Sequence, residues 1–291
     1  MRVTQTMLAK NSLNHIQQGY QNLARIQDQL STGKKITRAS QDPVVAMNGM
    51  RYRTQVIEVT QFKRNLNEAY NWIDQADASL TETTNALQRI RELTVQASNG
   101  TNNNDQLRII ATEIRQLQEH LASLGNSKVG EKYIFNGTNT TEAPISVNPL
   151  NVSTNTQNVE IELFKGVNIP VNIRPQNVYS EDLFTDIEDL INALNNGAES
   201  IEITAFLTNI DKHIGNVTTE QAELGARMNR MEMMEQRIMQ QEVTAKRIMS
   251  ENEDTDLEEV IINLTTQESV HRAAMAVGAR ILQPSLLDFL R

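Results

Sequence analysis

Four histidines are the side chains in this sequence best suited to transfer protons or to bind a metal. They stand at His15, His120, His213 and His271, far apart, and none has the H-E-x-x-H spacing that places two metal ligands on one helix face. The sequence contains no cysteine, so thiolate metal sites, disulfides and cysteine nucleophiles are excluded. Each histidine is therefore interpreted as a polar residue on a helix surface.

An acidic run at 251–256, Glu-Asn-Glu-Asp-Thr-Asp, offers the carboxylate oxygens that calcium prefers. An EF-hand loop also needs a glycine at its sixth position, and this run has none. Helix capping and favourable charge at a helix N-terminus explain the run instead. The motifs GxxxxGK[ST], GxGxxG and GxSxG are absent as well. We therefore predict no catalytic, cofactor-binding or metal-binding residue, and no enzymatic activity.

Charge is distributed unevenly along the 291 residues, whose net charge is −9. The first 53 residues carry eight Lys and Arg against two Asp, whereas residues 138–204 carry ten Asp and Glu against two basic residues. The basic end lacks the interleaved aromatic side chains that stack on nucleic-acid bases, so nucleic-acid binding is not expected. No apolar stretch reaches the ~18 residues of a membrane span, and the N-terminus has no apolar signal-peptide core.

Heptad spacing predicts four long helices. The first ends at Ser31-Thr32-Gly33, where glycine suits the left-handed position after a helix. The second begins at Asp42-Pro43, an N-cap followed by proline at the first helical position, and the third runs from Asp105 to Leu124. The short link between the second and third predicts an antiparallel hairpin. The first seam consists of Leu13, Ile16, Tyr20, Leu23, Gln27 and Leu30, and the second of Val59, Phe62, Leu66, Ala69, Ile73, Ala76, Leu80, Thr83, Leu87, Ile90 and Thr94.

The fourth helix has a seam of coiled-coil type, because its residues alternate by three and four over some six heptads. Its methionines are interpreted as flexible seam filling rather than as a binding groove. This seam consists of Leu207, Ile210, Ile214, Val217, Gln221, Leu224, Met228, Met231, Glu235, Ile238, Glu242, Ala245 and Met249.

Between the third and fourth helices the period changes to that of short strands. Residues 132–135 predict a strand that enters a turn at Asn136-Gly137, and 159–163 and 167–173 predict two more strands. Residues 180–194 predict one amphipathic helix. The last helix is predicted to begin at Thr255 with Glu258 as a capping box, and to continue to Pro284 through apolar residues that include Leu264, Val277 and Ile281.

These elements predict a mainly α chain with a small β-containing insert: an elongated antiparallel bundle of long helices formed by both termini. Three domains are expected, namely 1–41 with 252–291, 42–137 with 205–251, and 138–204. The apolar end of the chain needs a cover, because exposed apolar termini are hazardous. We expect the terminal helices and this end to contact neighbouring subunits through Leu13, Ile16, Tyr20, Leu23, Leu30, Leu264, Val277, Ile281, Leu286, Leu287, Phe289 and Leu290.

The segment Leu30-Ser-Thr-Gly-Lys-Lys-Ile36, followed by Asp42-Pro43, resembles the flagellin superfamily, whose first helix ends in L-S-[ST]-G-[KR]-[KR]-I. The ending 285–291 (Ser-Leu-Leu-Asp-Phe-Leu-Arg) is similar to the apolar close of that superfamily. Residues 130–140 resemble a Y-[LI]-F-x-G segment of its members that join hook to filament. The residues that carry the resemblance are Gly33, Lys34, Asp42, Pro43, Tyr133, Phe135 and Gly137.

The resemblance implies an extracellular structural subunit at the hook–filament junction, exported unfolded through the flagellar export apparatus without a cleaved signal peptide. Its implied partners are further copies of itself in a ring, the first hook-associated protein, flagellin, and a cytosolic export chaperone at the C-terminal segment. No cofactor, nucleic acid or membrane insertion is implied. Two alternatives stay open: flagellin itself, and, more distantly, a signalling coiled-coil protein.

Overall fold

The computed structural model describes residues 5–99, 102–147 and 150–282 of the chain. Within these ranges long helices dominate, and the predicted mainly α class with a small β-containing segment is confirmed. No described helix is long and apolar enough to cross a membrane. The elements in chain order are α1 (Gln5–Thr32), α2 (Pro43–Ser98), α3 (Asn104–Gly125), β1 (Lys128–Val129), β2 (Lys132–Tyr133), β3 (Ile145–Val147), β4 (Leu150–Val152), β5 (Glu160–Phe164), β6 (Val167–Pro170), α4 (Pro175–Val178), α5 (Glu181–Asn195), α6 (Ser200–Glu253) and α7 (Leu257–Leu282).

The chain divides into two compact units. Unit 1 comprises residues 1–58 and 241–291, and unit 2 comprises residues 59–240. Helices α2 and α6 contribute residues to both units. The three domains expected from the sequence stay a prediction.

Unit 2 is built on the seams of α2 and α6, and the predicted spacing of both is confirmed. In α6 every second seam residue, from Ile210 to Ile238, is buried and the ones between are half-buried. In α2 all seam residues from Leu66 to Thr94 are buried. The two helices run antiparallel, since the Tyr70 hydroxyl lies 3.0 Å from Glu235 Oε2 and Arg91 Nε lies 2.6 Å from Asp211 Oδ1. Strict 3-4 spacing therefore places one narrow apolar stripe of each helix against the other.

Helix α3 forms the predicted antiparallel hairpin with α2. Its first turn is capped by Asn103, whose Oδ1 accepts from the Gln106 amide while the Gln106 side chain accepts from the Asn103 amide. Farther along, the Arg89 guanidinium contacts the Glu113 carboxylate at 2.8 Å. Seven inward apolar residues of α3 then join the core: Leu107, Ile110, Ala111, Ile114, Leu121, Ala122 and Leu124.

Three two-stranded antiparallel sheets, β1–β2, β3–β4 and β5–β6, lie between α3 and α5. The pair β5–β6 agrees with prediction in position, with a register shift between Glu162 and Phe164. The predicted strand at 132–135 is wrong in length, because regular pairing stops at Tyr133 and the chain then turns inward. Sequence spacing missed β1, β3, β4 and α4, which are too short to show a period.

The β-containing segment shares one core with the long helices. Phe135 and Tyr179 are fully buried, and their rings meet edge-to-face with centroids 5.1 Å apart. The Tyr179 hydroxyl lies 2.7 Å from Thr83 Oγ1 of α2. Burial raises the pKa of the Tyr179 phenol, so the phenol is neutral at every physiological pH.

Candidate assembly interface

In unit 1, α1 and α7 form an antiparallel pair joined at one end by backbone hydrogen bonds. Gly33 closes α1 with φ of +67°, in the left-handed region that favours glycine, as predicted. The Lys35 amide then donates to the Glu253 carbonyl at 2.7 Å, and the Thr255 amide donates to the Gly33 carbonyl at 3.0 Å. These two bonds fix where α7 starts relative to the end of α1.

The start of α7 differs from prediction by one residue. The N-cap is Asp256, whose Oδ1 accepts from the amides of Glu258 and Glu259 at 2.9 and 3.4 Å. Thr255 is occupied by its backbone bond to Gly33, so it is not the capping residue. A carboxylate at this position also interacts favourably with the helix dipole.

Close packing of α1 on α7 depends on two glycines. A Cβ on Gly278 would lie 3.1 Å from Ile16 Cδ1, and a Cβ on Gly19 would lie 3.2 Å from His271 Nδ1. Both distances are tighter than ordinary van der Waals contact, so each glycine is matched to one side chain of the other helix. The seam of α1 therefore runs through a glycine that apolar spacing alone does not count.

The predicted seam of α1 is wrong by one residue in its second half. Ile26 is buried and Gln27 is exposed, and Leu13 and Tyr20 lie outside the pair with 58% and 69% of their surface accessible. Ile16 and Leu23 are half-buried, as expected of seam residues. The pair thus leaves apolar surface of α1 without a partner among the described residues.

Helix α7, like α1, buries only some of its apolar residues. Val260 is buried and Leu264 is half-buried, whereas Val277 is 54% exposed. Leu30 of α1, at 36%, also lies at the exposed margin. The side chain of Ile281 and the residues Leu286, Leu287, Phe289 and Leu290 lie outside the described part of the chain.

Beside the α1–α7 seam lies an apolar cavity of about 450 Å³, lined by Leu13, Ile16, Gln17, Tyr20, His271 and Met275. Tyr20 and His271 meet there with ring centroids 6.1 Å apart. Inside one chain this surface buries little, which makes it a candidate for contact with another subunit.

The resemblance motif Gly33-Lys34 meets the end of α6 in an ionic cluster. Lys34 Nζ lies 2.6 Å from Asp254 Oδ1 and 3.5 Å from Glu253 Oε2. The Arg53 guanidinium of α2 donates two hydrogen bonds, of 2.6 and 2.8 Å, to the same Glu253 carboxylate. The cluster therefore ties three helical elements of unit 1 to one carboxylate.

The proximity of these charges shifts several pKa values in directions that favour the ion pairs. The hydrogen bond from Arg53 holds the pKa of Glu253 below its usual range, and the hydrogen bond from Lys34 does the same for Asp254. The pKa of Lys34 is raised, chiefly by its hydrogen bond to Asp254. All four groups are charged at neutral pH.

Sequence reasoning missed this cluster, because it assigned the acidic run to capping. Only Asp256 caps a helix start, whereas Glu253 and Asp254 serve as ion-pair acceptors at the end of α6. Residue types alone do not indicate that Arg53 pairs with Glu253, because 200 residues separate them in the chain.

The remaining motif residues divide between the units. In unit 1, Asp42 accepts from the amides of Val44 and Val45 at 3.0 and 3.1 Å, so Asp42-Pro43 opens α2 as predicted. In unit 2, Gly137 has φ of +56°, and a Cβ there would lie 2.7 Å from the Gln157 carbonyl. Phe135 is core, and Tyr133 carries Lys128 Nζ 4.3 Å above its ring.

The histidine interpretation needs one correction. His15 and His120 are exposed, but His213 is buried, with Nε2 2.8 Å from Asp186 Oδ2. His271 is half-buried in the α1–α7 seam. Within the described ranges no three His, Cys, Asp or Glu side chains gather as a metal site would require.

Two family models match the chain. The bacterial flagellin N-terminal helical region matches residues 3–140, and the bacterial flagellin C-terminal helical region matches residues 207–290. The chain belongs to the bacterial flagellin family. The matched ranges include all of α1 and all of α7, which form the candidate interface.

Similar proteins include both hook-associated proteins and flagellins. Flagellar hook-associated protein 3 of Salmonella typhimurium is 25% identical, over 94% of this chain and 95% of that protein. A flagellin of Bacillus subtilis is 23% identical over the full length of both. A solved structure of a putative flagellar hook-associated protein from Vibrio parahaemolyticus has a TM-score of 0.69 at 19% identity, covering 74% of this chain and all of that one. The last likeness establishes the shared fold.

Proposed function

We propose that this chain is the structural subunit of the bacterial flagellum that joins the hook to the flagellin filament. The observation that carries the proposal is the α1–α7 pair, which presents Leu13, Tyr20 and Val277 to solvent in a flagellin-family chain. The resemblance of segment 130–140 to the members that join hook to filament, together with the similarity to a hook-associated protein, favours the junction over other places in the flagellum. No enzymatic step, cofactor or nucleic acid forms part of this function.

The mechanism is assembly through the chain ends. The exposed apolar residues of the α1–α7 pair are buried when neighbouring copies form a ring, and each Å² of apolar surface removed from water contributes about 25 cal/mol. The apolar end at 286–290 (Leu-Leu-Asp-Phe-Leu) adds to this contact. Repeated contacts between unlike surfaces generate a ring or an open helical assembly instead of a closed dimer.

The chain has partners on both sides of the ring. The first hook-associated protein lies on the hook side and flagellin on the filament side. Before assembly, the chain passes through the flagellar export apparatus without a cleaved signal peptide, and a cytosolic chaperone covers its C-terminal segment. Covering 286–290 inside the cell prevents premature assembly, because exposed apolar ends promote association.

Flagellin itself is the alternative, and one observation favours it. The similarity to the Bacillus subtilis flagellin extends over the whole of both chains, so length does not separate the two functions. A filament subunit adds to copies of itself without limit, whereas a junction subunit stops after one ring or a few.

Electron microscopy of the purified chain mixed with short flagellin seeds distinguishes the two functions. A junction subunit is expected to bind at seed ends without extending them, and to support addition of flagellin to hook ends that carry the first hook-associated protein. Long filaments formed by this chain alone would replace the junction function with that of flagellin. Failure to bind either kind of end would contradict both functions.

The double variant Leu286→Asp, Leu290→Asp tests the role of the chain end. We expect it to keep the helical circular-dichroism signal of the parent chain and to fail to bind hook ends, because charged residues cannot be buried between subunits without a partner. The matched control is Ile109→Asp, at a site in α3 that is 69% exposed. Loss of helical signal in the double variant would show that these residues stabilise the monomer instead.

A further inference from the structure

A cavity in unit 1 lies between the loop after α1 and the first turns of α2. Its volume is about 220 Å³ and its floor is apolar, formed by Ile36, Ala39, Val45, Ala46 and Met50. Met50 is 65% exposed, and Met47 beside it is 62% exposed. We call the cavity and these two methionines the α2 groove. Flexible methionines suit a surface that adapts to an incoming side chain.

The rim of the α2 groove is positively charged. Lys34, Arg38 and Arg53 line it, and Glu253 is its one carboxylate. Arg53 pairs with Glu253, and Lys34 pairs with Asp254 as well as with Glu253, so both cations are compensated within the chain. The Arg38 guanidinium has no carboxylate partner in the described part of the chain. The groove therefore offers an apolar floor beside one unneutralised cation.

The first turns of α7 have the complementary character. Leu257, Ile261 and Ile262 are 49%, 49% and 64% exposed, and the exposed Glu258 and Glu259 lie among them. Neither carboxylate forms an ion pair with any described residue. We call these five residues the α7 patch. The exposed apolar side chains of the α7 patch complement the apolar residues of the α2 groove, and its two unpaired carboxylates complement Arg38.

The rotation of α7 directs Glu258 and Ile262 of the α7 patch away from its own helix pair. Val260 is 4% exposed and packs in unit 1. At about 100° per residue, Glu258 and Ile262 lie on nearly the opposite side of α7 from Val260. A second copy can reach that side without disturbing α1.

We propose that the α7 patch of one subunit docks in the α2 groove of the next copy, with Ile262 over Met50 and Glu258 paired with Arg38. The inference rests on the proposed assembly function and names its intersubunit contact. Groove and patch are different surfaces, so the contact is heterologous and propagates around a ring. Charge complementarity sets the register, while burial of the apolar residues supplies most of the affinity.

Disulfide cross-linking tests the contact cleanly, because the chain contains no natural cysteine. One tagged chain carries Met50→Cys and a second, differently tagged chain carries Ile262→Cys. Mixed and assembled on hook ends, they are expected to give a disulfide-linked pair bearing both tags. The matched control replaces Ile262→Cys with Ile201→Cys, at a site 84% exposed in α6. Equal cross-linking in the control would overturn the proposal.

A chain carrying both cysteines separates contact between copies from contact within one chain. At high dilution it is expected to remain free of an internal disulfide, whereas a rapid internal bond would overturn the proposal.

Charge exchange provides a second, independent measurement. Arg38→Glu and Glu258→Arg are each expected to lower the mixed-tag cross-link about threefold, as the loss of one partly exposed ion pair predicts. The double variant should recover most of the yield, because the pair is re-formed with its signs exchanged. Arg108→Glu on α3 serves as the charge control. Failure of the double variant to recover would contradict the pairing.

The proposed function and this contact can fail separately. If the unmodified chain binds hook ends but the specific cross-link is absent, the contact is wrong and the junction function stands. If the unmodified chain does not bind hook ends at all, the junction function itself is wrong. A specific cross-link formed in free solution would then still support the contact between copies.

Discussion

At the residue scale, the Glu253 carboxylate is the group that links the ends of α1 and α6 to α2 in unit 1. Its side chain is only 8% exposed, and its carboxylate accepts from both Arg53 and Lys34. The motif lysine at position 34 therefore has a structural role: it holds the end of α1 against the end of α6. Replacing Glu253 with glutamine keeps the shape of the side chain and removes the negative charge that makes these hydrogen bonds strong.

We predict that Glu253→Gln destabilises the joint between α1 and α7, meaning the backbone hydrogen bonds of Lys35 and Thr255, by about 1–2 kcal/mol at pH 7. Hydrogen exchange of the Lys35 and Thr255 amides measures this locally, since both donate across the joint. The matched control is Glu251→Gln, an exposed residue paired only with Arg247 on its own helix, for which a change below about 0.5 kcal/mol is expected. Equal effects of the two variants would contradict a special role for Glu253.

The same carboxylate predicts a pH dependence. Because folding lowers the pKa of Glu253, the stability it contributes is fully present above its ordinary pKa, near 4.5, and is lost as pH falls through the lower folded-state value. Exchange at Lys35 should therefore accelerate upon acidification more in the parent chain than in Glu253→Gln, after correction for intrinsic exchange rates. Parallel pH profiles would exclude this linkage.

In unit 2, a single hydroxyl pair tests the attachment of the β-containing segment to α2. Tyr179→Phe removes the bond to Thr83, whose own hydroxyl still donates to the Ser79 carbonyl at 2.7 Å. The expected loss of unfolding free energy is about 1 kcal/mol, because no buried donor is left unpaired. Denaturant unfolding measures it, with Tyr20→Phe, at a 69% exposed ring, as the control. No difference between the two variants would mean that the Thr83 bond adds nothing.

At the element scale, two glycines in the long helices are expected to respond differently to substitution by alanine. A Cβ on Gly225 of α6 would meet nothing within 4 Å, whereas one on Gly49 of α2 would lie 2.9 Å from Glu253 Oε1. We predict that Gly225→Ala stabilises the chain by about 0.5–1 kcal/mol, the usual gain for a helix interior. Gly49→Ala should lose that gain or reverse it, because the contact pushes on a carboxylate fixed by Arg53. Thermal unfolding of both variants decides the prediction, and equal stabilisation would refute it.

The elements also show how far the sequence could predict the structure. A seam repeated over many turns averages out irregularities, which is why α2 and α6 were predicted residue by residue. In α1 the same method placed Leu13, Tyr20 and Gln27 in the seam, whereas Gly19 and Ile26 occupy it. Apolar spacing does not count a glycine, and it cannot decide between neighbouring positions in so short a seam. Strands of two or three residues, such as β3, have no period to detect.

The ionic cluster and the α2 groove were beyond prediction for a different reason. Both depend on residues from opposite ends of the chain, such as Arg53 and Glu253, and a single sequence contains no signal that pairs them. The predicted apolar faces of the terminal helices were found in part: Ile16 and Leu23 lie in the seam, and Leu13 and Tyr20 face outward. That outward face is the part that we propose contacts neighbouring subunits.

At the scale of the whole molecule, the two units differ in how much apolar surface each buries. Unit 2 holds one continuous core that runs from Val59 to Ile238. In the α1–α7 pair, Ile26 and Val260 are the buried large aliphatic residues among those described. Ordering a residue costs about 1–2 kcal/mol of backbone entropy, so a helix pair with so few buried side chains is marginal on its own.

Limited proteolysis of the free subunit should therefore trim the chain before about residue 42 and after about residue 252, and leave unit 2 intact, because cleavage follows local opening. In assembled junctions the same sites should resist protease, since burial against neighbouring copies offsets the ordering cost. Mass spectrometry of timed digests gives both cleavage sites and rates. Ends that resist protease in the free subunit as long as unit 2 does would show that assembly orders nothing, and that the terminal helices reach the ring already folded.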